Sequence, residues 1–498
     1  MIMQKWLKTA VFYEIYPQSF NDTNGDGIGD LQGIIEKLDY IKELGCNAIW
    51  INPCFESPFH DAGYDISDYY KIAPRYGTNE DARHLFTEVH KRDMHILLDL
   101  VPGHTSIEHK WFKESMKSSV KKPNEYHHRY IWTESAWESS TEGVTNVRGE
   151  LSGFCERGNC AANFFTTQPA LNYGFFKTDP KKPWQISMNH PGARATKEAM
   201  WDIMKFWLSM GCDGFRVDMA SSLIKNDDEN ATGIITFWQE IRKRLDKDFP
   251  EAAIVSEWGE PDKSLRAGFD MDFLLHFGPS HYLDLFRENP YFAGNGDLTD
   301  FWAYYADIRK KAGEHGLICI PSGNHDMDRI SYHLDTEQTK LAFVFLLTMP
   351  GAPFIYYGDE IGMRYIDTQE SVEGGYGRTG SRTPMQWDKT LNAGFSSAPE
   401  SELYIPLDTK KSRPDVESQM KNKKSLWNFL KELIDMRLSN PDLQNTASFE
   451  LISKGAKGEA LCYKRGNTLV AINPLDKDVK LNINGSPLEL KAKSWLVK

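Results

Sequence analysis

Long apolar runs are absent from this chain of 498 residues, and so are low-complexity tracts. A membrane-spanning helix needs about 20 apolar residues in sequence, so we expect no spanning segment. Hydrophobic residues make up 40% of the chain, which is typical of a globular protein with a large core and excludes a disordered chain. The length exceeds that of one usual domain, so we expect one large domain with additions.

An excess of basic residues is also missing, because 58 Lys and Arg stand against 70 Asp and Glu and the net charge is −12. Nucleic acids and anionic membranes both demand a basic surface, so neither is an expected partner. A small neutral ligand fits this charge better. The 14 Trp, 21 Tyr and 27 Phe suit stacking on sugar rings, although the filling of a large core accounts for most of them.

Cysteine is scarce, since the chain has seven, an odd number, at scattered positions. Only Cys155 and Cys160 lie close together in the sequence, so no disulfide framework is indicated. The N-terminal segment also lacks the apolar core of a signal peptide. We therefore expect reduced, mostly buried thiols and a cytoplasmic location, unless a leader was removed from the chain.

Short apolar runs alternate with helical patterns along most of the chain. After the first run, for example, apolar residues recur at helical spacing from Leu31 to Leu44, and Gly45 stands where a helix would end. Such alternation predicts a (β/α)8 TIM barrel of parallel strands. The predicted strands are residues 11–16, 47–51, 95–101, 213–217, 252–256, 270–275, 317–321 and 353–357.

Two segments depart from this alternation. Residues 104–192, after the third strand, are too long for an ordinary loop and are predicted to form an inserted domain on the catalytic face of the barrel. Residues 441–498 contain short alternating runs separated by Gly, Asn and Pro, which predict a C-terminal antiparallel β-sandwich domain. The barrel itself then comprises residues 1–103 and 193–440.

Acidic residues stand at the C-terminal ends of three predicted strands. Asp218 follows strand four, Glu257 follows strand five and Asp326 lies just beyond strand seven. The reactive groups of a β/α barrel lie at these ends. One acidic residue at a strand end is more often structural, but three on separate strands, beside an arginine and two histidines, indicate a catalytic site. Burying such like charges together is costly unless they are paired.

Glycoside hydrolysis needs one ionised carboxylate as nucleophile and a second, protonated carboxyl group as acid. Arg216 lies two residues before Asp218, so both side chains point to one face of the strand. We expect Arg216 to lower the pKa of Asp218 and keep it ionised as the nucleophile. Glu257, beside Trp258, is the predicted proton donor. In a retaining enzyme the two carboxyl groups lie about 5–5.5 Å apart.

Over nearly its whole length the sequence resembles the α-amylase superfamily, glycoside hydrolase family 13. The resemblance implies that Asp218 is the nucleophile, Glu257 the acid/base and Asp326 the residue that stabilises the transition state. The insert would be the family's domain B, and the C-terminal module its domain C. The segments that carry the resemblance are DLVPGHTS (99–106), QPALN (168–172), GFRVDMA (214–220), SEWGEP (256–261), SGNHDMDR (322–329) and GAPFIYYGDEIGM (351–363).

The same resemblance implies how the first sugar is held. His104 and His325 would bind the ring, and Arg216 would orient the nucleophile. In the α-glucosidases of the family, an Asp such as Asp61 pairs with an Arg of the SRTPMQW-type loop, here Arg382. That pair would close the first subsite, and Tyr64 in the segment 57–65 would be a stacking platform. A surface loop charge is the alternative interpretation of Arg382.

A second motif places oxygen-bearing side chains at alternate positions, with glycines between them, as a hard cation such as Ca²⁺ requires. It resembles the start of an EF-hand loop without the distal Glu, and the Ca²⁺ loop of oligo-1,6-glucosidase-like members of the family. We expect a structural Ca²⁺, because the loop contains no nucleophile; the alternative is a turn that binds no metal. The predicted ligands are Asp22, Asn24, Asp26, Ile28 and Asp30.

The leading functional prediction is a retaining, exo-acting α-glucosidase of the oligo-1,6-glucosidase type that acts on small oligosaccharides. A transglycosylase or a sugar isomerase such as trehalose synthase would use the same covalent intermediate and differ in water exclusion. An endo-acting α-amylase comes third, and a non-catalytic interaction protein comes last because the three carboxylates are retained. Ala170 and Met219 depart from the usual family residues, so the linkage stays open, as does the oligomeric state.

Overall fold

The computed structural model describes residues 3–153, 155–483 and 485–498. In this part of the chain eight parallel strands form one sheet, and a parallel bridge from Pro321 to Phe354 joins its two edges. The predicted TIM barrel is confirmed. Its strands are β1 Phe12–Ile15, β2 Ala48–Ile51, β3 His95–Leu100, β4 Gly214–Val217, β5 Ala253–Ser256, β6 Met271–Phe273, β7 Leu317–Cys319 and β8 Phe354–Tyr356. In the sheet they lie in the order β7-β6-β5-β4-β3-β2-β1-β8.

Aromatic side chains fill the inside of the barrel. Phe12 and Phe354 stack with ring centroids 4.2 Å apart, and Phe273 meets Phe354 at 4.7 Å. Trp50 stacks on Phe273 at 5.8 Å. Burial of each such ring contributes roughly 1.5–3 kcal/mol to stability, so the centre of the barrel is a packed core and ligands can bind only at its ends.

Helices cover the outside of the barrel. The first helical pattern is divided at Lys37 into two helices, and Gly45 ends the second with a left-handed φ of 106°. Among the described residues the α-helices are α1 Leu31–Glu36, α2 Leu38–Leu44, α3 Asn79–His90, α4 Lys110–Met116, α5 Pro191–Met210, α6 Thr232–Asp248, α7 Pro261–Ser264, α8 Leu283–Phe286, α9 Thr299–Ala312, α10 Thr336–Thr348, α11 Val416–Lys421 and α12 Leu426–Ser439.

The segment between β3 and α5 forms the predicted insert. It contains α4 and one antiparallel strand pair, Gly149–Leu151 with Cys160–Ala162. His104, four residues after the end of β3, forms a bridge to Ala170, so the insert folds back beside the C-terminal end of the barrel. Its own small core consists of Ile131, Ala161, Ala170, Phe175 and Trp184.

The C-terminal module is antiparallel, as predicted. It has a four-stranded sheet of Phe449–Lys454, Leu461–Arg465, Thr468–Asn473 and Ser494–Val497, and a two-stranded sheet of Val479–Ile483 and Ser486–Leu490. Trp302 of α9 donates a hydrogen bond to the carbonyl of Lys454 at 2.8 Å, which attaches the module to the barrel.

The sequence predicts neither a membrane-spanning segment nor a disulfide framework. Within the described residues, none of the helices combines the length and hydropathy that a bilayer crossing demands. The seven cysteines are free thiols, and all but Cys155 are buried.

Candidate active site

A cavity of about 440 Å³ opens between the C-terminal ends of the barrel strands and the insert. Six of the predicted site residues line it, whereas Arg216, His325 and Arg382 lie buried behind its wall. The structure therefore brings together residues that the sequence separates by more than 250 positions. The six predicted residues that line the cavity are Asp61, Tyr64, His104, Asp218, Glu257 and Asp326.

The strand ladder fixes the two central carboxyl groups. The main-chain N–H of Asp218 donates to the carbonyl of Leu100 at 2.8 Å, and that of Glu257 donates to Val217 at 2.9 Å. Each residue thus adds one hydrogen bond beyond its strand, and both side chains start at the same rim of the barrel. The N–H of Asp326 is held by Oδ1 of Asn324 at 2.9 Å, which fixes the third carboxylate in the turn after β7.

One guanidinium contacts both central carboxyl groups. Nη1 of Arg216 donates to Oδ1 of Asp218 at 3.1 Å, and Nη2 lies 2.9 Å from Oε1 of Glu257. Nη1 also donates to Oδ1 of Asp99 at 2.8 Å. The second oxygen of Glu257 accepts the main-chain N–H of Met219 at 3.1 Å. Three carboxyl groups therefore share one buried cation, and the site favours retention of a proton.

This crowding corrects the expectation for Asp218. Burial and the neighbouring Glu257 raise the pKa of Asp218 well above its ordinary value, and Arg216 lowers it by less than they raise it. The expectation that Arg216 holds the pKa of Asp218 low is therefore wrong in its net direction. The physical reason is that Arg216 is divided among several carboxyl groups, and burial also raises the pKa of Asp99, to about 6.

Asp326 has the opposite environment. Burial raises its pKa, but the neighbouring His325 and the charged guanidinium groups of Arg378 and Arg382 outweigh burial and bring the pKa below its ordinary value. Because burial also lowers the pKa of His325 well below 6.5, that ring is neutral at pH 7 and the two arginines carry the effect. Oδ1 of Asp326 accepts from Arg378 at 2.9 Å and from Arg382 at 2.8 Å.

The structure corrects the predicted Asp61–Arg382 pair. Arg382 donates to the carbonyl of His325 at 2.8 Å and to Asp326, and its main-chain carbonyl accepts from Ser19. Among the described residues no ion pair joins its buried guanidinium to Asp61. Arg378, earlier in the same loop, is the arginine whose Nη2 lies 3.5 Å from Oδ1 of Asp61. Burial raises the pKa of Asp61 to about 6, against the lowering effect of Arg378.

Neutral hydrogen-bonding groups form the floor of the cavity. The hydroxyl of Tyr64 lies 2.7 Å from Nε2 of His325, and the two rings stack at 5.4 Å. Burial lowers the pKa of His104 to about 3, so its ring is neutral. Nε2 of His104 lies 3.1 Å from the carbonyl of Tyr64, to which it donates, and Nδ1 is 3.3 Å from Nδ2 of Asn163. Such fixed, uncharged groups suit the hydroxyls of a neutral sugar.

The predicted metal loop is a run of side-chain-to-main-chain turns. Oδ1 of Asp22 accepts from the N–H of Asn24 at 3.0 Å, Oδ1 of Asn24 from Asp26 at 2.9 Å, and Oδ1 of Asp26 from Ile28 at 2.9 Å. The described residues contain no cluster of three or more His, Cys, Asp or Glu that could hold a metal ion. The predicted ligands also include the amide of Asn24 and the main-chain carbonyl of Ile28, which do not belong to these four side-chain types. The absence of such a cluster therefore does not test the Ca²⁺ site, and the metal stays a prediction.

The cavity has further lining residues that were not predicted as site residues. Met219 and Trp258 lie within the recognised segments 214–220 and 256–261, and this position was the available signal for them. Arg378 and Tyr376 belong to a loop whose course the sequence does not indicate. The additional lining residues are Arg148, Phe164, Phe165, Met219, Ser221, Trp258, His276, Phe277, Tyr376 and Arg378.

Comparison with known proteins gives consistent matches. The family model for the alpha amylase catalytic domain matches residues 14–446. The trehalose synthase/amylase of Mycolicibacterium smegmatis is 30% identical over 98% of this chain and 86% of its own. The oligo-1,6-glucosidase of Parageobacillus thermoglucosidasius is 32% identical over 90% and 86%. A structure of isomaltulose synthase from Erwinia rhapontici NX5 with sucrose superposes with a TM-score of 0.80, at 26% identity over 100% and 99% of the two chains.

Proposed function

The chain belongs to the α-amylase family, and on that basis we propose that it is a retaining, exo-acting α-glucosidase that releases terminal α-linked glucose from small oligosaccharides. One observation carries the exo-acting part of the proposal. Arg378 lies between Asp61 and Asp326, with contacts of 3.5 Å and 2.9 Å, so an ionic bridge crosses the cavity wall. A cavity closed on one side accommodates a single terminal sugar, whereas internal cleavage requires a groove open at both ends.

In the proposed first step, ionised Asp218 attacks the anomeric carbon while Glu257 gives its proton to the glycosidic oxygen. The bond to the leaving sugar breaks, and a covalent glycosyl–aspartate forms. The raised pKa of Asp218 means that the free site keeps a proton there to a higher pH than an ordinary carboxyl group does. Arg216 contacts both Asp218 and Glu257. In the proposal the proton lies on Glu257 when substrate is bound, and Arg216 keeps its contact with each of the two carboxyl groups.

In the second step a water molecule enters where the leaving sugar was. Glu257 takes a proton from this water, the water oxygen attacks the anomeric carbon, and Asp218 leaves as a carboxylate. Two displacements at one carbon retain the α configuration. Asp326, which its arginines keep ionised, would hold sugar hydroxyls and stabilise the positive charge that develops on the ring.

Transfer of the glucosyl group to another sugar is the second candidate. Its support comes from the relatives named as trehalose synthase/amylase and isomaltulose synthase, and from the aromatic residues Phe164, Phe165 and Phe277 around the cavity. An apolar wall of this kind can hold a sugar and exclude water from the intermediate. The same two carboxyl groups would serve, with a sugar hydroxyl in the place of water.

Product analysis separates these candidates. The enzyme is incubated with maltose, isomaltose, maltotriose, sucrose and soluble starch, and Asp218→Asn is the inactive control. Release of single glucose units, with starch unchanged, is the expected result and would also identify the linkage. Rearranged disaccharides with little free glucose would establish the transferase, and maltose or longer fragments from starch would rule out the closed pocket.

We also propose a structural Ca²⁺ in the loop from Asp22 to Asp30 and a cytoplasmic location. The successive turns of the loop support the first, because they bend its main chain at alternate oxygen-bearing residues. Asp22 and Asp30 are buried, whereas Asn24 and Asp26 are exposed. The free thiols of the described cysteines support the second proposal.

A further inference from the structure

A strained turn lies at the mouth of the cavity. This mouth turn comprises residues 371–378, and Glu373 and Tyr376 adopt left-handed φ values of 45° and 47° there. Gly374 between them has a φ of 70°. Left-handed conformations are costly for residues other than glycine and persist only where surrounding contacts impose them. The contacts of the mouth turn therefore indicate what holds this part of the site in place.

The main chain of the mouth turn holds Arg378. Nη2 of Arg378 donates to the carbonyl of Gly374 at 2.9 Å, and Nε donates to the carbonyl of Gly375 at 3.2 Å. These bonds leave Nη1 to donate to Asp326 at 2.9 Å, and they hold Nη2 itself 3.5 Å from Asp61. The position of the arginine that bridges the cavity wall thus depends on where these two carbonyls lie.

An ion pair holds the mouth turn from outside the cavity. Arg75, from the segment before α3, donates to the two oxygens of Glu373 at 2.6 Å and 3.1 Å. Tyr404 donates to Glu373 at 2.9 Å, and the guanidinium of Arg75 lies 3.2 Å above the ring of Phe59. Both charged side chains are mostly buried, at 15% and 19% exposure. Neither Arg75 nor Glu373 lines the cavity.

We propose that the Arg75–Glu373 ion pair is a positioning device for Arg378. The pair fixes the position of Glu373. Because Gly374 and Gly375 come next in the chain, their carbonyls are fixed as well, and these carbonyls place the guanidinium of Arg378 between Asp61 and Asp326. The proposal rests on the proposed function, because it assigns a role in holding the terminal sugar. Arg75 and Glu373 act through Arg378 and touch no reacting atom.

Packing against the neighbouring loop supports the same coupling. A side-chain carbon added at Gly374 would lie 2.6 Å from the carbonyl of His60, which directly precedes Asp61. The mouth turn is therefore in close contact with the loop that carries one of the carboxylates bridged by Arg378. A shift of the mouth turn would therefore move both Arg378 and the loop that carries Asp61.

The Arg364–Asp408 pair offers a matched control. It is also a bidentate ion pair with a buried carboxylate, but neither residue contacts the mouth turn or lines the cavity. Glu373→Gln and Asp408→Asn each remove one charge from such a pair and leave the arginine in place. If the Arg75–Glu373 pair has a purely structural role, both variants should lose stability, and Glu373→Gln should bind substrate as well as Asp408→Asn does.

The test is a double-mutant cycle that combines Glu373→Gln with Arg378→Met. We expect Glu373→Gln to weaken binding of 1-deoxynojirimycin, a basic glucose mimic, about tenfold by calorimetry, and to raise KM more than it lowers kcat. In the Arg378→Met background the same substitution should have no further effect on binding or KM. Asp408→Asn should change the melting temperature only, and Glu373→Asp should restore part of the affinity.

The calorimetric measurement does not need turnover, so it separates this proposal from the proposed function. An equal loss of affinity with and without Arg378, or an equal loss in Asp408→Asn, would overturn the positioning role. If Glu373→Gln does not fold, Tyr404→Phe takes its place in the cycle, because it removes the hydroxyl that donates to Glu373 and contacts Tyr16. Absence of turnover on every glucoside, with the cycle as expected, would overturn the hydrolase and keep the positioning role.

Discussion

Arg378 donates a 2.9 Å hydrogen bond to Oδ1 of Asp326, although 52 positions separate the two residues in the chain. The same guanidinium lies 3.5 Å from Asp61. One side chain therefore closes part of the cavity wall and keeps Asp326, the proposed transition-state stabiliser, ionised. An arginine suits this double task because its planar fork presents donors in two directions.

Replacement of Arg378 by methionine should lower kcat/KM for α-glucosides by about 100-fold, the order of loss expected for one charged donor at a transition state. The pKa of Asp326 should rise because one of its two arginine partners is gone. The acid limb of the pH profile of kcat/KM should nevertheless stay near its wild-type position, because the raised pKa of the nucleophile Asp218 sets that limb.

Arg244→Met is the matched control for Arg378→Met, since Arg244 pairs with Glu198 and neither residue lines the cavity. Its kcat/KM and pH profile should equal those of the wild type. A normal kcat/KM in Arg378→Met would show that the bridge to Asp61 and Asp326 has no part in binding the terminal sugar.

The sequence was sufficient for the barrel and the three carboxylates, because strand periodicity and strand ends are local features. All eight predicted strands occur, and Asp218 and Glu257 directly follow theirs. The arginine that contacts Asp61 could not be identified, because Arg378 lies in a single short 3-10 helix, Tyr376–Ser381, and Arg382 directly follows it. Their directions depend on hydrogen bonds to distant partners such as Ser19. The net pKa direction of Asp218 likewise depends on burial and on neighbours that only the fold assembles.

Substitution of Asp218 by asparagine should reduce turnover on the order of 10⁴-fold or more, as loss of a nucleophile does. It should also stabilise the fold. The folded pKa of Asp218 is raised, so its carboxyl group contributes fully to stability below its unfolded pKa, and this contribution is lost as the pH rises through the folded pKa. Asparagine does not ionise.

Thermal melts at several pH values test this second effect. The melting temperature of Asp218→Asn should exceed that of the wild type by about 1–2 °C at pH 8 and by less at pH 5, a range consistent with a stabilisation of the order of 1 kcal/mol. A difference that shrinks as the pH rises would contradict the raised pKa of Asp218.

Met219 has a left-handed φ of 42°, and its main-chain N–H holds Oε2 of Glu257. A β-branched residue is poorly accommodated at such a φ. Met219→Val should therefore destabilise the protein by roughly 1–2 kcal/mol and lower kcat by displacing Glu257. Met219→Leu, which is unbranched at Cβ and close in volume, is the control and should keep both stability and kcat. Urea unfolding and initial rates measure the two effects, and equal behaviour of the two variants would exclude a role for this strain.

Removal of the proposed Ca²⁺ should act on stability and leave the chemistry of the folded enzyme unchanged. The loop from Asp22 to Asp30 lies after β1 and does not line the cavity, so a cation there can contribute only by favouring the folded chain. Any ligand that binds only the folded state raises its stability, by about 2.7 kcal/mol when present at 100 times its dissociation constant. A chelator should therefore lower the melting temperature, and added Ca²⁺ should restore it.

Asp26→Asn separates the metal from the turn. The side chain of Asp26 is exposed, and its Oδ1 accepts the N–H of Ile28 at 2.9 Å, a bond that asparagine can also make. The variant should keep the turn, lose one anionic ligand, and need more Ca²⁺ for the same melting temperature. If the chelator and Asp26→Asn both leave the melting temperature unchanged, the turns alone hold this loop and no metal binds there. A loss of stability in Asp26→Asn that Ca²⁺ does not reverse would mean that the carboxylate supports the turn directly.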